Sequence, residues 1–207
     1  YLDIDAVDQT GVHQIPLYSL DGADGDLLLV TAQGGNQQRA MESHLGQQIW
    51  AADYGELGAS PTPNTTTITA AIGAAGAQNG GYVMLPSGTI EITQISLPAG
   101  VILCGRRRGA TTLVSAVADA VVTLAGDRAG LEELTLDGVN VVAGSTGVYA
   151  EEVDEVYLAN VEVKRFEKNV HINGGQRGFF TNVAIPGAQY AVHQEGDAAE
   201  VRDFRWI

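Results

Sequence analysis

The feature that most constrains the fold is a repeated apolar pattern in the second half of the chain. Val148, Val170 and Val192 stand 22 residues apart. A second apolar series keeps a similar step, and its members are Leu134/Leu136, Val161/Val163, Val183/Ile185 and Phe204/Trp206. Two series in step predict a solenoid, because each turn must lay its inward residues over those of the turn below. The repeated segments are short and β-rich, so the predicted fold is an all-β parallel β-helix of roughly five to six coils.

The two series also predict the core of this solenoid. We expect Val148, Val170 and Val192 to form one inward stack. A second inward stack is expected to contain Leu134, Val161, Val183 and Phe204. Side chains alternate across a strand, so the neighbours of these residues should point outwards or lie in turns.

The charge of the chain excludes one class of partner. The 207 residues include 25 acids against 11 Lys and Arg, a net charge of −14. Nucleic-acid binding needs clustered bases to neutralise phosphates, so we expect no nucleic-acid partner. The one basic cluster, Arg106–Arg108, is predicted to be a solvated turn. We also expect no membrane insertion, since no apolar run approaches the roughly 20 residues of a membrane span.

Cysteine usage limits the possible cross-links and metal sites. Cys104 is the only cysteine, so the chain forms no intrachain disulfide and no cysteine-based metal site. It follows the apolar residues 101–103, and we expect a buried, inert thiol. The sequence predicts no cofactor and no metal site.

The pattern divides the chain into three parts. Residues 1–52 form an N-terminal region with a predicted strand at 26–31. Its polar stretch, 34–48, is either a short helix around 39–45 or a loop, and periodicity does not decide between them. We interpret this region as a small β-rich adaptor that packs either on another subunit or on the base of the solenoid.

The second part, residues 53–81, is a predicted linker and capping helix. Two prolines within 59–64 are expected to break regular structure before the helix. Asn64, Thr65 or Thr66 is the predicted N-cap, and Gly80-Gly81 ends the helix. Its apolar face is predicted to consist of Ile68, Ala71, Ile72 and Ala75. Such a helix would cover the open apolar end of the first coil.

The third part, residues 82–207, is the predicted β-helix. The first predicted strands are 82–85, 89–92, 101–104, 111–114, 120–124 and 131–136. The series stops at 204–207 in the middle of an apolar rung. An open rung exposes core residues and unpaired backbone, so we expect further chain or a partner at this end.

Four motifs carry a resemblance to a known family. They are DYGELGA (53–59), TTTITAAIGAAGA (65–77), GGYVMLPSGTIEI (80–92) and LPAGVILCGRRRGATTLV (97–114). In this order they resemble the start of the pectate-lyase-like right-handed parallel β-helix domain of phage tailspike, head-spike and tail-fibre proteins. One departure is the turn at 56–61, which reads ELGASP where the family commonly has an Asp-rich sequence.

The resemblance implies a function as well as a fold. It implies a right-handed coil, a homotrimer on a phage or phage-like particle, and attachment to other virion proteins through residues 1–50. Cell-surface polysaccharide is the implied external partner.

Two predicted columns of side chains are candidate functional or structural sites. Tyr149, His171 and His193 each follow a valine of the 22-residue series, so they should form an outward column spaced by about 4.8 Å. This column could contact sugar rings, lie between protomers of a trimer, or titrate and hold a metal. Asn160 and Asn182 should stack as a structural polar ladder.

The sequence does not identify catalytic residues. Hydrolases of this fold class use paired carboxylates, and a lyase would want a calcium cage of acids beside a basic residue. No predicted column gathers three acids beside a base. Four acids, Glu151, Glu152, Asp154 and Glu155, share one turn, which a solvated loop explains.

Together with the open last rung, the N-terminal adaptor and the lack of a predicted catalytic cluster, the resemblance implies a structural spike or fibre subunit at the virion surface, which presents a β-helix to host glycan. The acidic charge favours neutral or basic ligands. One alternative is a polysaccharide depolymerase, a lyase or glycoside hydrolase, with its active site on later coils. A second alternative is a secreted β-helix adhesin.

Overall fold

The computed structural model describes residues 29–31, 38–40, 48–58, 60–175, 177–186, 190–195 and 204–206. The chain divides into two compact units, 1–46 and 47–207. In the first unit, strand β1 (Leu29–Thr31) pairs antiparallel with β2 (Gln38–Ala40). The predicted strand is thus confirmed in its last three residues. Within the stretch predicted as a helix or loop, residues 38–40 form a second strand, and residues 34–37 and 41–47 lie outside the described part.

The second unit consists of three parallel sheets. The seven-stranded sheet contains β3 (Gln48–Trp50), β4 (Gly81–Met84), β7 (Val101–Cys104), β10 (Gly130–Glu132), β13 (Val156–Ala159), β16 (Gly178–Thr181) and β18 (Phe204–Trp206). The four-stranded sheet contains β5 (Gly88–Glu91), β8 (Thr111–Val114), β11 (Thr135–Asp137) and β14 (Glu162–Lys164). The five-stranded sheet contains β6 (Ile95–Leu97), β9 (Ala120–Leu124), β12 (Thr146–Glu151), β15 (Lys168–Asn173) and β17 (Tyr190–Glu195).

The order in which the chain visits these sheets defines the architecture. Each full turn passes from the seven-stranded sheet to the four-stranded sheet and then to the five-stranded sheet. Every strand in the three sheets pairs in parallel with its equivalent one turn away. The fold is therefore a parallel β-helix of about five coils, which confirms the prediction. Strand β3 belongs to this solenoid, although the sequence assigns Ile49 and Trp50 to the N-terminal region.

One corner of the solenoid is made by left-handed residues. Glu133, Asn160 and Asn182 connect the seven-stranded to the four-stranded sheet with φ values of 55°, 52° and 51°. A single residue in this conformation turns the chain sharply, so the next side chain also points into the core. The prediction of one continuous strand over 131–136 is wrong for this reason, because the corner divides it into β10 and β11.

The core follows the predicted stacks with two differences. Val148 pairs with Val170, and Val170 with Val192. The first two are buried, whereas Val192 is 38% exposed in the outermost described strand of its sheet. Leu134 and Val161 are fully buried as well.

Phe204 does not continue the stack that contains Leu134, Val161 and Val183. Its strand pairs with β16, where Phe204 lies opposite Gly178 in the seven-stranded sheet. The 21-residue step from Val183 suggested the neighbouring sheet, but the pairing step from Gly178 is 26 residues. Coils of unequal length shift the register between sheets, so a period alone does not assign a strand to its sheet.

Helix α1 (Pro61–Ala77) packs against β4, β5 and β6. It begins earlier than predicted, because proline is tolerated in the first turn, where its missing N–H would have no intrahelical acceptor. Asn64 is consequently inside the helix and is not its N-cap. Its side chain accepts a hydrogen bond from Gly58 N and donates one to Glu91 O, both at 2.9 Å.

The buried face of the helix is the predicted one, extended by two polar residues. Its buried members are Asn64, Thr67, Ile68, Ala71, Ile72 and Ala75. Within the described residues, no helix has the length and apolar character needed to cross a membrane.

We predict that two glycine-to-alanine substitutions have opposite effects on stability. A Cβ at Gly130 would lie 2.1 Å from the Tyr157 carbonyl oxygen in the next coil, so Gly130→Ala should lower the free energy of unfolding by about 1–3 kcal/mol. Gly73 is an exposed helical residue with open space around its Cβ position, so Gly73→Ala should raise it by about 0.5–1 kcal/mol. Guanidinium denaturation followed by circular dichroism measures both. Equal effects would contradict the in-register stacking at Gly130.

Candidate functional site

The five-stranded sheet carries a column of rings on its outer face. Tyr149 pairs with His171, and His171 with His193, in consecutive coils. The ring centroids are 5.1 Å and 4.9 Å apart. We call Tyr149, His171 and His193 the ring column. Tyr190 extends it, because its ring centroid lies 5.3 Å from that of His193.

Tyr190 was missed by the sequence analysis, although the same 22-residue step connects it to Lys168.

The exposure of the side chains differs along the ring column. His171 is only 9% exposed because it lies between the rings of its neighbours, whereas Tyr149 and His193 are half-buried. A ligand would therefore meet the ends of the column rather than its centre. Ser96 and Thr123 continue the same row below Tyr149.

The row of hydroxyl groups borders a shallow pocket. Its lining includes Ser96, Asp119, Thr123 and Tyr149. Hydroxyl, carboxylate and ring groups in one row can both accept hydrogen bonds from sugar hydroxyls and pack against ring faces. Among the described residues, no group of three or more His, Cys, Asp or Glu side chains is arranged to hold a metal ion.

The corner residues form a polar ladder. Asn160 Nδ2 donates to Glu133 Oε1 at 2.7 Å, and Asn182 Nδ2 donates to Asn160 Oδ1 at 2.8 Å. Arg108 extends the ladder, since its Nη1 donates to the Asn182 carbonyl oxygen at 3.2 Å. One member of the predicted solvated arginine turn thus contacts a coil far along the chain. Arg106, from the same turn, lies 4.4 Å above the centre of the Trp50 ring.

A second corner holds a buried carboxylate. Arg165 donates to both oxygens of Asp137, at 2.6 Å and 2.5 Å. Lys164, which pairs with Asp137 in the strand register, lies 4.0 Å from its carboxylate and nearer to Glu162, at 3.1 Å. Burial alone would raise the pKa of Asp137, but the bonds from Arg165 and Val139 N–H and the charge of Lys164 outweigh it. The pKa of Asp137 is therefore lowered.

The acidic turn at 151–155 is neutralised in part by arginines. Glu155 accepts from Arg128 at 2.5 Å and lies 3.3 Å from Arg177. The hydrogen bond from Arg128, against a smaller effect of burial, lowers the pKa of Glu155. Asp154 N donates to Asp127 Oδ1 at 2.9 Å. A lowered pKa does not suit a general acid, and this cluster has the character of a structural ion-pair corner.

Glu132 is a candidate residue that the sequence analysis missed. It pairs with Cys104 in the seven-stranded sheet, and its Oε2 is buried without a hydrogen-bond partner. Burial, together with the charge of Glu133, raises the pKa of Glu132. Burial and the same two carboxylates raise the pKa of the Cys104 thiol to about 11, as expected for an inert cysteine. No signal in the sequence identifies Glu132, because one glutamate beside another is usually solvated.

We predict a pH-dependent stability contribution from Asp137. Its folded pKa is lowered, so its contribution is present above the unfolded value of about 3.9 and is lost as pH falls through the folded value. Asp137→Asn should lower the free energy of unfolding at pH 7 by about 1–3 kcal/mol, because the charged hydrogen bonds are lost. The difference from the wild type should close as the pH approaches about 2.

Urea denaturation at several pH values measures this difference. Asp119→Asn is the matched control, since it makes the same change at an exposed position and should alter stability little at any pH. A pH-independent deficit in Asp137→Asn would show that its carboxylate charge is not what stabilises this corner.

Comparison with solved structures identifies the fold. The A-modules of two mannuronan C-5 epimerases from Azotobacter vinelandii, AlgE6 and AlgE4, match with TM-scores of 0.60 and sequence identities of 23% and 21%. The matches cover 68% and 71% of this chain and 44% and 50% of those chains. The ORF18 protein of Geobacillus virus E2 matches with a TM-score of 0.59 and 17% identity, over 75% of this chain and 36% of that chain.

The chain spans half or less of the length of these three structures. No family model and no curated protein matches the sequence. At these identities the likeness concerns the fold. The chain has the pectate-lyase-like parallel β-helix fold, which it shares with a phage protein and with modules of two polysaccharide epimerases.

Proposed function

We propose that the chain is the β-helix part of a structural spike or fibre subunit of a phage or phage-like particle, and that the ring column contacts host cell-surface polysaccharide. The observation that carries the proposal is the ring column itself. Tyr149, His171 and His193 follow one another at the strand spacing of about 4.8 Å, and Tyr190 adds an exposed ring beside them. A straight row of rings and hydroxyls matches the repeating units of a linear glycan.

The rest of the solenoid suits a projecting shaft. Parallel coils in register, a polar ladder and ion-paired corners connect each turn to the next. Such an arrangement resists unfolding outside a cell. The fold likeness to the Geobacillus virus protein supports a particle as the setting. In this proposal residues 1–52 attach the subunit to other virion proteins, the β-helix assembles as a homotrimer, and the protein lies at the virion surface.

A polysaccharide depolymerase is the second candidate function. The likeness to the mannuronan epimerase modules supports it, because those enzyme modules share the fold of this chain and act on a polysaccharide, mannuronan. The described residues offer Glu132 as a carboxyl group with a raised pKa, but Glu133 beside it is engaged by Asn160. We favour the structural role for these coils because a catalytic carboxylate pair needs two groups free to reach the substrate.

The first prediction of this proposal concerns location. Immunogold electron microscopy of purified particles, with antibody against residues 82–207, should label projections on the particle surface. Peptides of the chain should be found in the same particles by mass spectrometry. Recovery of the protein only in the culture supernatant, without particles, would contradict the proposal and favour a secreted adhesin.

The second prediction concerns the ring column. Tyr149→Ala should reduce adsorption of particles to host cells about tenfold, equivalent to about 1.4 kcal/mol of lost contact. Tyr54→Ala removes another exposed ring, outside the column, and should leave adsorption unchanged. Unchanged adsorption in both variants would refute the ring column as the glycan contact. A steady release of reducing or unsaturated ends from host capsule by the purified protein would favour the depolymerase.

A further inference from the structure

The outer face of the seven-stranded sheet has a different chemistry from the ring column. Its outward side chains alternate with buried core residues such as Leu103 and Leu158. Six of them are large apolar or aromatic side chains, and we call these six the aromatic face: Trp50, Tyr82, Met84, Ile102, Tyr157 and Phe179. The strand register places Tyr157 beside Phe179, and Tyr82 beside Ile102.

Charge separates this face from the other two. The outer side of the four-stranded sheet carries Asp137, Glu162 and Lys164, and that of the five-stranded sheet carries Glu151 and Lys168. Among the described outward residues of strands β4 to β16 in the seven-stranded sheet, Glu132 is the one charged group. In a chain with a net charge of −14, the face of the seven-stranded sheet is therefore the least charged of the three outer faces.

The size of the strip decides between two possible occupants. Tyr82 is 39% exposed and Phe179 49% exposed, while the other four residues are half-buried. Two aromatic side chains at these exposures offer on the order of 200 Å² of free surface. A stable protein interface needs about 800 Å² from each partner. The strip is therefore too small to hold a second copy of the chain by itself, whereas a single extended glycan chain needs less surface than a protein partner.

Glu132 determines which glycan fits. Its Oε2 is buried among the aromatic face without a donor. The titratable groups around it are Tyr82, Tyr157, Cys104 and Glu133, and none of these supplies a positive charge. An acidic sugar on the face would bring its carboxylate close to that of Glu132, which is already buried without a hydrogen-bond donor. The repulsion between the two charges would oppose binding. Arg106 lies over the Trp50 ring at one end of the face, 4.4 Å from its centre. Over the rest of the face an uncharged sugar would meet ring and aliphatic surface.

We propose that the aromatic face binds one extended, uncharged polysaccharide chain along the solenoid axis, and that Glu132 discriminates against acidic sugars there. That the ligand is a glycan rests on the proposed function, but the surface is separate from the ring column. Tyr157 and Phe179 are the stacking residues, since they occupy adjacent strands about 4.8 Å apart.

Isothermal titration with defined hexasaccharides tests the proposal on the full chain. The probes are mannohexaose, cellohexaose, maltohexaose and the hexamer of mannuronan. The last is the acidic counterpart of β-1,4-mannohexaose and differs from it by its carboxylates. At least one neutral hexasaccharide should bind with a dissociation constant of about 1 mM or lower. Phe179→Ala should weaken that binding about tenfold, and Tyr157→Ala at least as much.

Two further variants distinguish the contribution of ring stacking from that of charge, and a folding measurement accompanies them. Tyr54 is 44% exposed outside the aromatic face, so Tyr54→Ala should bind like the wild type. Glu132→Gln keeps the shape of the side chain and removes its charge, so the ratio of neutral to mannuronan affinity should fall about tenfold. Circular dichroism melting identifies any variant that fails to fold, and Phe179→Ala is the decisive one because its ring is half exposed.

Several outcomes overturn the proposal. They are the absence of binding by every neutral hexasaccharide, wild-type binding by Phe179→Ala, and an unchanged neutral preference in Glu132→Gln. Self-association in sedimentation experiments that Phe179→Ala abolishes would assign the face to a second copy. Loss of cell adsorption in Tyr149→Ala with normal adsorption in Phe179→Ala would leave the ring column intact and refute this inference alone.

Discussion

The structure depends on one constraint, the in-register stacking of equivalent strands in successive coils. Backbone hydrogen bonds run from each turn to the next, so a residue is fixed relative to its equivalents above and below. The core is a consequence of this, because Val148 can bury its side chain only against Val170 and its other stacked neighbours. Close approach of the coils also explains Gly130, where the Tyr157 carbonyl oxygen occupies the space that a Cβ would need.

The same constraint converts sequence differences between coils into separate surfaces. Outward positions repeat as columns, so each sheet face has a composition of its own. The four-stranded face concentrates ion pairs around Asp137, the five-stranded face concentrates rings around His171, and the seven-stranded face is largely uncharged around Tyr157. A ligand that lies along the axis therefore meets one chemistry throughout. This is why a linear polymer, rather than a compact small molecule, suits the outer faces of such a fold.

The sequence predicts those parts of the structure that repeat. The valine stack and the ring column follow from equal 22-residue steps, and both stand in the expected register. The sequence does not predict how a change in coil length shifts the strands that follow it. For this reason the prediction for Phe204 is wrong, and the residue lies in a different sheet from the expected one. Interactions of corner residues were also missed, because Arg165 takes a left-handed conformation and its reach to Asp137 depends on the turn. Strand β6 was missed because three residues carry too little periodicity.

Burial explains why the sequence pattern singles out the acidic turn at 151–155 but does not identify Glu132. A run of acids at 151–155 stands out in the sequence, yet arginines from neighbouring coils engage Glu155 and lower its pKa. Nothing in the sequence distinguishes Glu132 from a solvated glutamate. The neighbouring coils place Tyr157 and Cys104 beside it, and its Oε2 is buried without a hydrogen-bond donor. In a solenoid the environment of a charge is set by residues about 20 to 30 positions away. An unusual carboxyl group must therefore be sought from the register of the coils, and it will not coincide with the densest acidic segment.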